Sequence, residues 1–184
     1  MTKSDLLQQI GTRAHLDPYS YYSDQIKDAF EEAVNEMSLV VPLSDVAYLV
    51  KVISYTVTGG KIALPSDFAK VIRMYLGGDF STGSKRFVLV DSAKWQWLGI
   101  DTDHDPPPNT VYYYVSGSDI LFYKTSVVNG QRVTLSYLSA ITESTLNDDA
   151  ELTDGAGLFT KKFTTIVKNR AVEILTAEMR GEQQ

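Results

Sequence analysis

The sequence has no cysteine, which excludes a disulfide scaffold, a thiol nucleophile and a thiolate zinc site. Histidine is nearly absent too: His15 and His104 stand alone, with no motif around either. No apolar run approaches the roughly 18 residues that a membrane-spanning helix needs. The opening Met-Thr-Lys-Ser-Asp leads straight into a polar amphipathic pattern, without the apolar stretch of a signal peptide. These absences predict a protein made in the cytoplasm, with no membrane partner. Positive charge is also scarce, 17 Lys and Arg against 23 Asp and Glu, for a net charge of −6. That balance opposes affinity for duplex DNA, which needs several phosphate-neutralising cations on one face. It suits a surface that DNA passes without sticking.

What is present is enough for a core. With 184 residues and 43% hydrophobic content, the chain suits one domain, or one domain carrying a subdomain. Helical patterns sit at both ends. Ser4 is the expected cap of the first helix, with Asp5 in its first turn and Leu6, Leu7, Ile10 and Ala14 at helical spacing; Asp17-Pro18 stops it. His15, near the end of that helix, suits the negative pole of its dipole better than general-base chemistry. A second helix follows Ser23, with Ile26, Ala29, Phe30, Ala33, Val34 and Met37 on one stripe. The last runs from about Leu158 to Arg180, with Phe159, Phe163, Ile166, Val167, Ile174 and Leu175 on its apolar face.

Between them the periodicity turns to strands. Tyr48–Thr58 and Lys61–Leu64 flank Gly59-Gly60 and read as a hairpin, because paired glycines supply the positive φ of a tight turn. Further strands are expected over 71–76, 86–90, 111–115, 120–124 and 132–138, with a short helical or irregular segment at Ser92–Leu98. Strand following strand, with helices confined to the ends, predicts an α+β fold. Its terminal helices form a small helical bundle around an inserted antiparallel β-rich domain. The expected divisions are N-terminal helices over 1–45, a β-rich insertion over 46–141, a polar loop over 142–157, and a C-terminal helix over 158–184 packing on the N-terminal ones.

No catalytic constellation stands out. Gly78 to Lys85 nearly spells a phosphate-binding loop, but Ser84 precedes Lys85 where lysine should follow the second glycine, and a strand pattern follows. Asp101, Asp103 and Asp105 alternate as in a calcium loop, yet Pro106 and Tyr112 occupy the places of the required glycine and bidentate acid. Nothing fixes the separation of Glu143 and Glu151 that a glycosidase pair would need. The reading is therefore of a non-enzyme with no cofactor and no metal. Tyr19, Tyr21, Tyr22 and Tyr112–Tyr114 fit an interface or ordinary sheet packing equally, and alternation puts Tyr113 on one face with Tyr112 and Tyr114 on the other. If exposed, these tyrosines with Trp95 and Trp97 would instead suit a carbohydrate- or peptide-binding β module.

Charge is distributed unevenly. Asp24, Asp28, Glu31, Glu32 and Glu36 face a lone Lys27 on the second helix, whereas Lys161, Lys162, Lys168 and Arg170 make the first half of the last helix basic. Such faces can pair within one subunit or between neighbours in a ring.

Four stretches together resemble the head-to-tail adaptor (head completion or connector) proteins of tailed bacteriophages, the tail tubular protein A type. They are the acidic helix Asp24–Asn35, the turn Leu64-Pro65-Ser66-Asp67-Phe68 with the strand after it, the strand Val133–Leu138, and Arg170–Leu175 in the last helix. The resemblance implies a virion protein at the head–tail interface, without catalysis. It implies a ring, commonly of twelve copies, between the portal protein and a tail or nozzle protein, through which DNA passes without specific binding. Glu31, Glu32, Glu36, Lys161, Lys162, Lys168, Arg170 and Arg180 are the expected contacts with neighbouring subunits or the portal. Only Gly181–Gln184 follow the last helix, so its end around Arg180, rather than a long C-terminal arm, is the expected docking element.

Overall fold

A computed structural model of the chain describes residues 1–16, 21–76, 85–98, 100, 105–124, 128–141 and 159–181. The fold is α+β. It divides into two compact units: Met1–Val50 with Ser139–Gln184, and Lys51–Leu138.

The first unit is a bundle of α1 (Lys3–Arg13), α2 (Ser23–Ser38) and a later helix over Lys161–Gly181. None of the three can bury its apolar stripe alone, so each relies on the others. The long C-terminal helix packs chiefly on α2, and α1 lies against both. Leu6, Leu7 and Ile10 of α1, Ile26, Phe30 and Val34 of α2, and Phe163, Val167 and Leu175 of the last helix are all buried. Ala29, Ala33 and Ala171 are buried as well, and their small side chains suit a close helix approach.

The caps differ from expectation. Thr2, not Ser4, begins α1: its Oγ1 accepts from the Asp5 amide at 3.1 Å, and Asp5 Oδ2 accepts from the Thr2 amide at 3.0 Å. This reciprocal pair satisfies two amides that a simple Ser4 cap would leave unmet. Ser23 is the first residue of α2 rather than its cap, and Tyr22 at the cap position makes no side-chain bond. At the other end of α1, His15 adopts a left-handed conformation (φ 59°). The His15 amide donates to Thr12 O at 3.2 Å and the Leu16 amide to Gly11 O at 3.0 Å, a Schellman ending. His15 thus caps the helix through its backbone.

Two 3-10 turns, Leu43–Asp45 and Ala47–Leu49, lead to the second unit. One sheet there orders β1 (Val50–Thr56), β7 (Arg132–Ser139) and β3 (Phe68–Leu76), with β7 in the middle. The other orders β2 (Lys61–Ala63), β6 (Asp119–Phe122), β5 (Thr110–Ser116) and β4 (Arg86–Leu89). Every β7 residue except Arg132 is buried, as a central strand requires. Val57, Ile62, Met74, Val111, Ile120, Val133 and Leu135 lie in the core of this unit.

Two expectations change here. Gly59 and Gly60 do take positive φ (61° and 74°), and Thr58 and Lys61 exchange both backbone bonds at 3.3 Å. The hairpin stops at that one bridge, because β1 continues along β7 while β2 pairs antiparallel with β6. The glycine pair is therefore a corner at which the chain changes sheets. Second, β4 and β5 run parallel, with Arg86 opposite Thr110 and Leu89 opposite Tyr113. Parallel neighbours need a long crossover, and the stretch between them carries α3 (Ser92–Leu98). The C-terminal helix of the bundle is thus α4 (Lys161–Gly181).

Candidate functional site

The alternating β5 pattern sorts its tyrosines onto opposite faces. Tyr113 joins the large core beside Val111, while Tyr112 joins Val90 and Leu98 in a small cluster with Tyr114 and Trp95 packed against it. The Trp95 ring stacks on Tyr114 at 5.6 Å and meets Tyr123 edge-on at 6.5 Å. Lys94 Nζ lies 4.3 Å from the Tyr112 ring centre. Packing therefore accounts for these aromatics, and of the two indoles only Trp97, 57% exposed, is mostly uncovered. A stacking platform for sugar or peptide is not assembled by these rings.

Asp67, in the Leu-Pro-x-Asp-Phe turn, is the centre of a polar cluster in the β unit. Its Oδ1 accepts from Tyr137 OH of β7 at 3.0 Å, and its Oδ2 accepts from Lys51 Nζ of β1 at 2.5 Å. Phe68 packs on the same Tyr137 with ring centres 6.0 Å apart. The turn thereby fastens two strands of one sheet, which gives the motif a structural role. Partial burial raises the Asp67 carboxyl pKa, but hydrogen bonds from Lys51 and Tyr137 outweigh it and hold the value below the usual range. Burial, then the bond to Asp67, pushes the Tyr137 phenol up to about 12.

Asp105 is tied down in a similar way. It accepts from Tyr123 OH at 3.0 Å and pairs with Lys124, which sits at positive φ (55°). The Lys124 bond keeps its carboxyl pKa low. The rest of the candidate calcium loop, Asp101–His104, lies outside the described residues. So do Gly78–Ser84 of the candidate phosphate loop, Glu143, Glu151, Tyr19, and Asp17-Pro18.

The predicted charged faces lie on the helical unit. Glu36 of α2 and Arg170 of α4 form a two-point ion pair within the chain, Nε to Oε2 at 2.8 Å and Nη2 to Oε1 at 3.2 Å. Arg170 also reaches Glu173 at 3.1 Å, and the Glu36 bond raises its guanidinium pKa further. Lys168 donates to Gln9 Oε1 at 3.2 Å and Arg13 to Asn169 Oδ1 at 3.1 Å, so both tie α1 to α4. At the start of α4, Thr160 Oγ1 accepts from the Phe163 amide at 3.1 Å and donates to Asp45 Oδ1 at 3.3 Å. Lys162 Nζ lies 4.0 Å from the other Asp45 oxygen. Glu32, Lys161 and Arg180 are exposed on their helices, and Glu31 is half-buried. The structure thus brings Glu36 and Arg170 together.

Sequence reasoning missed an apolar surface on the same unit. Past the end of α2, Leu39, Val40 and Leu43 are exposed, with Val40 72% so, and Tyr48 is exposed nearby in sequence. Tyr21, before α2, is 83% exposed. The signal was available: Leu39-Val40-Val41-Pro42-Leu43 is an unbroken apolar run that continues beyond the helix stripe. Scattered exposed apolar residues are ordinary, but a run of this kind on one segment is a candidate contact surface.

The family model described as SU10 adaptor protein matches residues 1–161, ending at the first residue of α4. Three of the four stretches quoted for the adaptor resemblance fall within it, and Arg170–Leu175 lies beyond. No curated protein matches the chain.

Proposed function

Because the chain belongs to the SU10 adaptor protein family, a phage head-to-tail adaptor family, we propose that it is a structural part of the virion, forming a ring between portal and tail. DNA passes through that ring without being specifically bound, and the protein carries out no catalysis. The observation that carries this reading is the family match across residues 1–161. The exposed apolar run after α2 supports it, since a ring subunit needs surface to bury against neighbours. Lateral contacts of about 800 Å² per partner are within reach of a chain this size. A head-to-tail contact repeated with rotation closes a ring. The net charge of −6 keeps passing DNA from adhering.

In this reading Glu32, Lys161, Lys162 and Arg180 make the charged contacts with neighbours or portal. Glu36, Arg170 and Lys168 shape the same faces while bracing the helices, and half-buried Glu31 borders them. Such contacts set orientation more than affinity. The test is native mass, alone and with the portal ring of the same phage. A stoichiometric ring-on-ring complex is expected. Glu32→Lys with Arg180→Glu should weaken it about tenfold while leaving the melting temperature in place, since both side chains are exposed. A persistent monomer that ignores the portal would overturn the proposal.

A further inference from the structure

The helical bundle presents two faces of opposite chemistry. The first is a groove of about 620 Å³ between α1 and α4, bordered by Asp5, Gln8, Gln9, Thr12 and Arg13 of α1 and by Lys168 of α4. The α1 positions recur at helical spacing, so they form one polar stripe about 12 Å long. Arg13 donates from Nη1 to Asn169 Oδ1, and Lys168 donates to Gln9 Oε1. Both acceptors are neutral amide oxygens, so each cation keeps its charge and most of its donors. Asp5 lies at the far end of the stripe from Arg13, where it accepts from the Thr2 amide.

The second is the outer face of α2. Asp24, Asp28 and Glu32 follow one another at intervals of four residues, and all are exposed. Like charges at that spacing repel each other. Glu36, next in the series, is met by Arg170 of its own chain. From Asp24 to Glu32 the stripe also spans about 12 Å. Because α2 packs on both α1 and α4, its exposed face points away from the groove between them.

We infer that the groove between α1 and α4 seats the acidic α2 face of a neighbouring copy. Charge complementarity selects this occupant: Asp28 and Glu32 bring carboxylates to the remaining donors of Arg13 and Lys168, along stripes of equal length. The contact joins different surfaces of the same chain, so it is head-to-tail and closes a ring when repeated with rotation. The inference rests on the ring reading above and names the surfaces that meet.

Sedimentation equilibrium of the full chain, alone and with the portal ring of the same phage, tests it. Asp28→Lys with Glu32→Lys should weaken self-association about tenfold or more, and so should Arg13→Glu with Lys168→Glu. Mixing these two variants should restore association, because each supplies the complement of the other's altered face. Arg13 and Lys168 also join α1 to α4. A third variant, Gln8→Glu with Thr12→Glu at two exposed positions, therefore loads the groove with negative charge and leaves both ties in place. It should weaken association to a similar extent, with a melting temperature close to the parent's. Parent-like assembly of the first or third variant, while the parent forms its ring, overturns the inference and leaves the ring standing. No recovery on mixing two variants that both keep the parent's melting temperature also overturns it. So does a groove variant that assembles laterally but no longer binds the portal, which would make the portal the occupant. A parent that stays monomeric with and without the portal overturns the ring reading and this contact with it.

Discussion

Asp67, Lys51 and Tyr137 form a cluster whose response to pH has a definite sign. The Tyr137 phenol is raised from its ordinary value near 10 to about 12, so the folded state holds its proton more tightly than the unfolded chain does. Its contribution to stability is complete below pH ~10 and disappears as pH rises towards about 12. Asp67 is shifted downward, so its contribution is present above the ordinary carboxylate value of ~3.9 and is lost as pH falls through its lowered one. Tyr137→Phe should cost about 1–2 kcal/mol at neutral pH and flatten the alkaline decline. Urea unfolding midpoints across that window check it; identical declines in parent and variant would dissociate Tyr137 from the effect. His15 offers a change in the opposite direction. A side chain in the left-handed region is strained by about 1 kcal/mol or more, and His15 is exposed at that position. His15→Gly should therefore stabilise the protein by about 0.5–1 kcal/mol, seen as a higher urea midpoint with an unchanged slope.

Packing at the level of the helices concentrates on α2 against α4. Phe163 is fully buried, its ring 4.9 Å from Phe159 and close to the start of α4. Phe163→Ala should cost about 3–5 kcal/mol, measured by chemical denaturation, because it opens a cavity at a fully buried site. A loss below about 1 kcal/mol would mean that the α2–α4 seam is not the core of this unit. The helices were legible because their stripes recur at helical spacing and every stripe residue from Ile26 to Val34 is buried. The caps were less so, since Thr2 and Ser4 both precede Asp5, and only the reciprocal Thr2–Asp5 bonding separates them. The Gly59-Gly60 turn was read from its local chemistry, which is correct as far as the first bridge. What lies beyond depends on Leu121 and Ile120 as partners of Lys61 and Ile62, far away in sequence. The parallel β4–β5 pair was hidden for the same reason: alternation is identical in parallel and antiparallel strands. At the candidate site, the charge asymmetry of α2 and α4 could be read directly. That Glu36 and Arg170 use it within one chain depends on helix rotation, which composition does not encode.

Considered whole, the protein joins a helical unit interrupted in sequence to a β unit that fills the interruption. The adaptor reading assigns function to surfaces, not to a pocket, so its decisive measurement is the mass of an assembly. The main-chain path between the units supplies one more consequence. The chain leaves the helical unit after Val50 and returns at Ser139. Those two crossings are held together where Ser139 Oγ donates to Leu49 O at 3.0 Å, at the ends of the neighbouring strands β1 and β7. Two chain ends a single hydrogen bond apart make residues 51–138 a cassette in the genetic sense. A recombination that exchanged this stretch for another fold with adjacent termini, or for a short turn, would leave the path of the helical core unaltered.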